Sequence, residues 1–352
     1  MTPASTKPMA RFTRTAGRSR SAGADNPVGG QANRSDSTTS RTVWAWARPV
    51  AAGATLAVVV WRLGVGPFLN GIRAVDGEAL AAGAWIGMLT TVCCAWRWTV
   101  VARGLGLHLS FPAAVAAYYR SVFLNLTLPA GIAGDVHRGV SHGRNVRDVG
   151  LALRAVVWER TAGQFVQAVV TVAVLVALPS PVRPSITLAV VALVATGIVL
   201  VLVGRTRPGE GRSRWARARR AIAGDIRAAL LTRRAWPVIT LASVLVVIGH
   251  TITFVIAART AGTTAPLSEL SPLALLAMLA MVLPSVAGWG PREGATAWAF
   301  AAAGLGAAQG VATAVVYGVM ILVANLPGAL LLVTAWLPRA AVAQPDGGPR
   351  DA

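Results

Sequence analysis

Leu128-Pro-Ala-Gly-Ile-Ala-Gly-Asp-Val-His-Arg-Gly139 interrupts a chain built mostly of hydrophobic runs. Pro129, Gly131 and Gly134 are poor helix formers, and they lead directly into a carboxylate, Asp135, and a guanidinium, Arg138. About 155 residues later Leu283-Pro-Ser-Val-Ala-Gly-Trp-Gly-Pro-Arg-Glu-Gly294 repeats the plan. Both blocks have twelve residues, begin Leu-Pro, end in Gly and carry an Arg one or two places before that Gly. Broken backbone with ionisable groups at membrane depth is tolerated only where protein or a wet cavity surrounds it. Two such interruptions, one in each half of the chain, point to a translocation site.

The surrounding sequence sets the solvent. Of 352 residues, 55% are hydrophobic and only 13% charged. Several runs of about twenty apolar residues are long enough to cross a ~30 Å hydrocarbon core. The fold class is therefore all-α, a polytopic helical membrane protein. The net charge of +20 would suggest nucleic acid in a soluble protein. Here the charge lies between spans and in the amino-terminal tail, where it reads as a topology signal and as contact with anionic headgroups, not as a nucleic-acid surface. Lys7 is the only lysine among 33 basic residues; with so much Ala, Gly and Val, this composition fits a high-GC bacterial genome. Cys93 and Cys94 are adjacent in an apolar run and read as packing residues. The four histidines, His108, His137, His142 and His250, form no metal signature. There is no P-loop, nucleophile elbow or dinucleotide fingerprint, so no metal, cofactor or catalytic residue is expected.

Residues 1–42 lack hydrophobic periodicity and read as a disordered basic cytoplasmic tail. The membrane region covers 43–338 and a polar tail covers 339–352. Full spans are expected over about 46–66, 79–101, 155–178, 185–203, 236–258 and 308–337, the last interrupted by Asn325 and Pro327. The 205–234 segment holds ten arginines and reads as a basic cytoplasmic loop. Within it Trp215, Ile222, Ile226 and Leu230 are spaced for an amphipathic surface helix.

Charge bias resolves the two broken segments. If 111–129 were a full crossing, the arginine-rich 130–154 segment would lie outside, against the positive-inside rule. A re-entrant hairpin over 111–134 returns it to the cytoplasm, and 272–303 becomes the matching hairpin from the outer face. The expected architecture is about six full spans plus two re-entrant helical hairpins, arranged as an inverted repeat, with both termini cytoplasmic. The alternative is eight plain spans.

Three acids fall near the hydrophobic segments, Asp135, Glu159 and Glu293, each with an arginine nearby in sequence: Arg138, Arg160 and Arg292. A charge at membrane centre costs at least ~2.5–3.5 kcal/mol, so such residues pair and face the protein interior. Adjacent helical residues point about 100° apart, so Glu159 and Arg160 must find different partners. Glu159 is expected to meet Arg138 or Arg292, leaving one arginine for an anionic substrate. Arginine suits that role because its planar fork grips phosphate through two hydrogen bonds. Gly131, Gly134, Gly288 and Gly290 would let backbone amides approach the same anion. The alternative is that these charges only lock two broken helices together. Arg97, between Trp96 and Trp98, is expected to snorkel to the interface.

Tyr118…Asn125-x-x-Leu-Pro-x-Gly-x-x-Gly-Asp135-x-x-Arg138, then Glu159-Arg160, then Leu283-Pro…Gly288-x-Gly-x-Arg-Glu-Gly294, resembles the lysylphosphatidylglycerol synthase transmembrane-domain family over about residues 50–340. These are flippase-like integral membrane proteins, some joined to a cytosolic aminoacyl-transferase domain. The fifteen residues after Leu337 leave no room for that domain, so lysyl transfer is not expected. His137 departs from the apolar or small residue expected before Arg138. The resemblance implies a flippase-like protein of the bacterial cell membrane that moves an anionic phospholipid or polyprenyl-phosphate lipid between leaflets. A non-catalytic partner of a cell-envelope synthesis enzyme, or a homo-oligomer, is the competing expectation. An intramembrane lipid-phosphate enzyme is disfavoured, since Asp135 with His137 is its sole acid–base pair and i,i+2 residues diverge on a helix.

Overall fold

The long apolar runs form helices that outlast a bilayer. The computed structural model describes residues 57–128, 131–178, 214–281 and 288–336, together with Ala54 and Ser285. Residues 57–63 are helical, followed by α1 (Gly66–Ala74) and α2 (Gly77–Gly104). Then come α3 (Phe111–Thr127), α4 (Ala133–Asn145) and α5 (Val149–Ala177). After the undescribed 179–213 stretch lie α6 (Arg214–Asp225), a π-helical turn (Ile226–Leu230) and α7 (Ala235–Thr260). The chain continues through α8 (Leu267–Ala280), α9 (Pro291–Ala302), α10 (Ala307–Ala324) and α11 (Leu326–Trp336). The protein is all-helical and polytopic, as the hydrophobic runs require.

Length separates two kinds of helix. At 1.5 Å per residue, the 28 residues of α2, 29 of α5 and 26 of α7 extend roughly 39–44 Å, more than a ~30 Å hydrocarbon core. The fourth long apolar stretch runs from Ala307 to Thr334 and changes helix at Asn325, where α10 ends and α11 begins. By contrast α3, α4, α8 and α9, with 17, 13, 14 and 12 residues, reach only about 18–25 Å each. The four long stretches, α2, α5, α7 and Ala307–Thr334, match the expected spans at 79–101, 155–178, 236–258 and 308–337. The span expected at 46–66 is described only from residue 57 onward. The span expected at 185–203 and both tails lie outside the described residues.

Short helices pair as hairpins. Residue Gly134 of α4 packs on Ser121 of α3, so close that a Cβ at 134 would stand 1.9 Å from the Ser121 carbonyl oxygen. Late residues of α9, Ala299 and Phe300, share one core with Leu270, Leu273 and Ala274 near the start of α8. Both pairs thus fold back on themselves. The described order is long helix, broken hairpin, long helix, and it occurs twice: α2–α3/α4–α5 and α7–α8/α9–α10. The expected hairpin from Pro272 begins earlier, at Leu267, with Pro272 inside the first helix. A proline there removes one N–H in the second turn, where it is tolerated less well than at N1, yet eight more helical residues follow it.

Small residues let the long helices approach, since lipid supplies little hydrophobic drive between helices. On α2, Gly83 and Gly87 lie one turn apart against Met320 and Ala324 of α10. A Cβ on Gly87 would be 2.5 Å from the Ala324 methyl, and one on Gly249 of α7 would be 2.5 Å from Thr90 of α2. Helix α7 also exposes Leu241, Leu245, Ile248 and Ile252, spaced 4, 3 and 4 residues apart. A continuous apolar stripe of this length suits acyl chains as neighbours.

The basic loop is tied down by an acid. Asp225, 6% exposed, accepts hydrogen bonds from Arg154 and, at 3.0 Å, from the Trp158 indole on α5. The helix expected here is present, but its buried face is Ala223, Ile226 and Ala229, while Ile222 is exposed. The π turn after Asp225 rotates the following residues relative to an uninterrupted helix.

Candidate functional site

The first hairpin is closed by side chains that cap its broken end. Helix α3 stops at Thr127 and α4 starts at Ala133, with Gly131 between them at φ 63°. The first N–H groups of α4 have no intrahelical acceptor. Asn125, from the preceding helix, takes one of them: its Oδ1 accepts from the Gly134 N–H at 2.8 Å. Its Nδ2 donates to Asp135 Oδ2 at 3.1 Å, and Ser121 Oγ donates to Asp135 Oδ1 at 3.2 Å. Only glycine fits at 134, because of the carbonyl of Ser121.

One turn beyond Asp135 sits Arg138, 1% exposed. Its Nε donates to Asp135 Oδ1 at 3.0 Å, and its Nη2 donates to Glu159 Oε2 at 2.6 Å. Its guanidinium lies over the Trp98 and Tyr118 rings, 4.7 and 4.4 Å from their centroids, an arrangement that favours a desolvated cation. Glu159 is fully buried and its other oxygen, Oε1, is held by Arg97. The Arg97 Nε and Nη2 donate to it at 3.0 and 2.5 Å, and the Tyr118 hydroxyl donates at 3.3 Å. Arg97 also donates through Nη1 to Ser243 Oγ on α7 at 2.9 Å. Arg160, a helical step further round α5, faces Asp135 instead, with Nη2 2.5 Å from Oδ2. The series Arg97–Glu159–Arg138–Asp135–Arg160 joins α2, α4 and α5, and carries three cations against two anions.

Arg97 corrects the expectation of an interfacial arginine. It is 5% exposed, and only one of its tryptophan neighbours, Trp96, faces outward; Trp98 is fully buried. Glu159 accordingly meets Arg138, as one of the two expected partners, and Arg97 where Arg292 was the other. The divergence of Glu159 and Arg160 holds as helical geometry requires. His137 is exposed while Asp135 is buried and occupied by four donors, so the two do not form an acid–base pair.

At the second break the adjacent pair does meet. Gly290, at φ 114°, precedes α9, and Glu293 Oε2 accepts its N–H at 2.7 Å. This turns the Glu293 carboxylate back over the first turn, where Arg292 donates to Oε1 from Nε at 2.9 Å and also from Nη2. Arg292 lies 5.6 Å from the Trp289 ring centroid and 5.4 Å from that of Tyr317. The Tyr317 hydroxyl is hydrogen-bonded to His250 Nδ1 at 2.9 Å. Helix α10 admits the guanidinium at Gly318, where a Cβ would be 2.4 Å from Nη2.

The two breaks touch. A Cβ on Gly131 would be 2.9 Å from Ser285 Oγ, and one on Gly288 would be 3.2 Å from the Leu126 side chain. Gly288 has φ 79°, so both meeting points use backbone that only glycine adopts readily. Beside them opens a cavity of about 240 Å³. Its wall includes Asn125, Gly131 and Gly288 from the hairpins, and the guanidinium-bearing residues Arg97, Arg160 and Arg292. Among the described residues no carboxylate lines it; Asp135, Glu159 and Glu293 stand behind the arginines they hold. Arg160 keeps 42% of its side chain accessible. Of the expected residues, Gly134 and Gly290 shape the breaks without lining the cavity, and Arg138 is enclosed within the ion-pair series. Sequence reasoning did not single out Arg97, Ser243, His250 or Tyr317 for this site.

The family described as lysylphosphatidylglycerol synthase TM region matches residues 46–328, which include both breaks, Arg97 and the whole ion-pair series. That description covers a membrane region and not an aminoacyl-transferase domain. No curated protein matches the sequence. With four-fifths of its length matched, and with an all-helical fold that carries long apolar helices, the chain is a membrane protein that belongs to the lysylphosphatidylglycerol synthase TM region family.

Proposed function

We propose that the protein moves an anionic lipid between leaflets, taking the phosphate of the headgroup in the cavity between the two hairpin breaks. One observation carries this reading: Arg97, Arg160 and Arg292 line the cavity while their carboxylate partners sit behind them. The ion pairs offset most of the cost of burying guanidinium groups, and Arg160 and Arg292 retain donors that can grip phosphate oxygens. Four arginines and three acids leave the site one positive charge in excess, which an anionic phosphodiester would neutralise. The volume of about 240 Å³ lies below the ~300–1,000 Å³ of drug-sized sites, so it is scaled to a headgroup whose acyl chains stay in the bilayer. Contact between two broken hairpins, one from each half, supports alternating opening around a fixed site. The bacterial cell membrane, with both termini cytoplasmic, is the setting proposed for it.

The test is leaflet exchange in proteoliposomes holding a fluorescent phosphatidylglycerol, read by chemical quenching of the outer leaflet. Exchange faster than in protein-free liposomes is expected. Exchange no faster than the protein-free rate, for every anionic headgroup tried, would remove this function.

A further inference from the structure

The reading of the cavity as a phosphate site leaves part of its wall unused. Helix α5 turns Arg160, Gly163, Gln164 and Gln167 toward the cavity, at the 3-, 1- and 3-residue spacing of one helical face. From Arg160 to Gln167 this polar stripe rises about 10 Å. Gln164 Oε1 and Gln167 Nε2 have no hydrogen-bond partner within the described protein, and neither does Asn325 Oδ1, from the break between α10 and α11. Gln167 is 8% exposed and Asn325 4%. Asn325 spends its Nδ2 on the Ile321 carbonyl at 2.8 Å, and its residue lines the same cavity. Buried polar atoms are nearly always paired, so these three unpaired amide atoms, with the unpaired Arg160 Nε beside them, mark a place where a ligand bonds.

The chemistry of the three amide atoms is neutral and mixed, two acceptors and one donor. A hydroxyl group matches that set because it donates and accepts. An ammonium matches it less well, because it only donates, leaves the Gln167 Nε2 donor unpaired and finds no free carboxylate. All three carboxylates of the site are already committed: Glu159 to Arg97 and Arg138, Asp135 to Arg138 and Arg160, Glu293 to Arg292 and the Gly290 N–H. A cationic headgroup would instead face three guanidinium groups.

Resting on the proposed lipid movement, we infer that the cavity reads two features of one headgroup. The arginine wall takes the phosphate, and the Gln164, Gln167 and Asn325 amides take hydroxyls. The substrate class is a phosphodiester lipid with a hydroxylated headgroup, such as a glycerol or sugar phosphate, and not an amine-bearing one.

Proteoliposomes of the full chain would be compared with lipids of matched acyl chains. The probes are phosphatidylglycerol, phosphatidylmethanol (anionic, no hydroxyl), phosphatidylethanolamine and an aminoacylated phosphatidylglycerol. The wild type should move phosphatidylglycerol roughly five- to tenfold faster than phosphatidylmethanol, as one or two added hydrogen bonds would give, and faster than either amine-bearing lipid. In Gln167→Leu the ratio of the first two rates should fall toward one. Equal wild-type rates for phosphatidylglycerol and phosphatidylmethanol, or an amine-bearing lipid as fast as phosphatidylglycerol, would overturn the inference while leaving anionic lipid movement intact. An unchanged ratio in Gln167→Leu and in Gln164→Leu would overturn it too. Failure to move any anionic lipid would remove the function itself, and this inference with it. Should the variants not fold, the wild-type ratio alone decides.

Discussion

Glu159→Gln removes one negative charge and almost no volume from the centre of the ion-pair series. Glu159 is fully buried and both its oxygens are used, one by Arg97 and Tyr118, the other by Arg138. A glutamine keeps one acceptor and adds an NH₂ that points at a guanidinium. Arg138 is then left with only the carboxylate of Asp135, which it shares with the partly exposed Arg160, and Arg97 loses its only anion, keeping Ser243 and Cys94. Breaking a buried pair by removing one partner costs about 3–5 kcal/mol. With roughly 2–4 °C of midpoint shift per kcal/mol, the thermal midpoint in detergent should fall by on the order of 6–20 °C. Arg97→Met should cost less, because Glu159 keeps Arg138 and Tyr118. The double variant Arg97→Met/Glu159→Gln should be at least ~1 kcal/mol more stable than the sum of the singles, since it no longer strands Arg97. The assay is heating in detergent followed by size-exclusion with tryptophan detection. A midpoint for Glu159→Gln within 2 °C of wild type, roughly 1 kcal/mol or less, would refute the view that this carboxylate holds α2, α4 and α5 together.

Three further expectations follow from single contacts. Gly134→Ala would push a methyl to 1.9 Å from the Ser121 carbonyl, so α4 must leave α3; the variant should elute as aggregate and not as a monodisperse peak. Asp225→Asn frees the basic segment from α5, and because Arg154 is 45% exposed the stability change should stay within ~1 kcal/mol, while trypsin cleavage among the arginines of 214–234 becomes faster. Gly318→Ala would crowd Arg292 Nη2 at 2.4 Å and move the guanidinium, lowering anionic lipid exchange with a thermal midpoint close to that of wild type.

What sequence conveyed about this protein was local. Pro and Gly at the two breaks, the 100° divergence of Glu159 and Arg160, and the interruption at Asn325 follow from backbone chemistry within a few residues. Hydrophobic length separated α2, α5 and α7 from the short hairpin helices for the same reason. The misjudged residue was Arg97, whose tryptophan neighbours match an interfacial pattern. Its partners Glu159 and Ser243 lie 62 and 146 positions away, and nothing within its own helix reveals them. The Asp225–Arg154 contact and the His250–Tyr317 pair are likewise 71 and 67 positions apart. Arg292–Glu293 differs again: adjacent helical residues diverge in mid-helix, but at the first turn Glu293 folds back to cap Gly290 and meets its neighbour. The face formed by Arg160, Gly163, Gln164 and Gln167 was open to reading by spacing alone, yet glutamines in an apolar span carry no charge to draw attention to them.

The central claim is that guanidinium groups in the cavity hold the headgroup of the lipid that moves. The direct measurement is the initial rate of phosphatidylglycerol exchange in proteoliposomes for wild type and for Arg160→Gln/Arg292→Gln at equal protein content. Hydrogen bonds to a charged group contribute about 1.5–3 kcal/mol each, so the rate should fall roughly 10-fold or more, with a monodisperse elution profile retained. A double variant that is folded and exchanges phosphatidylglycerol at the wild-type rate would contradict the account.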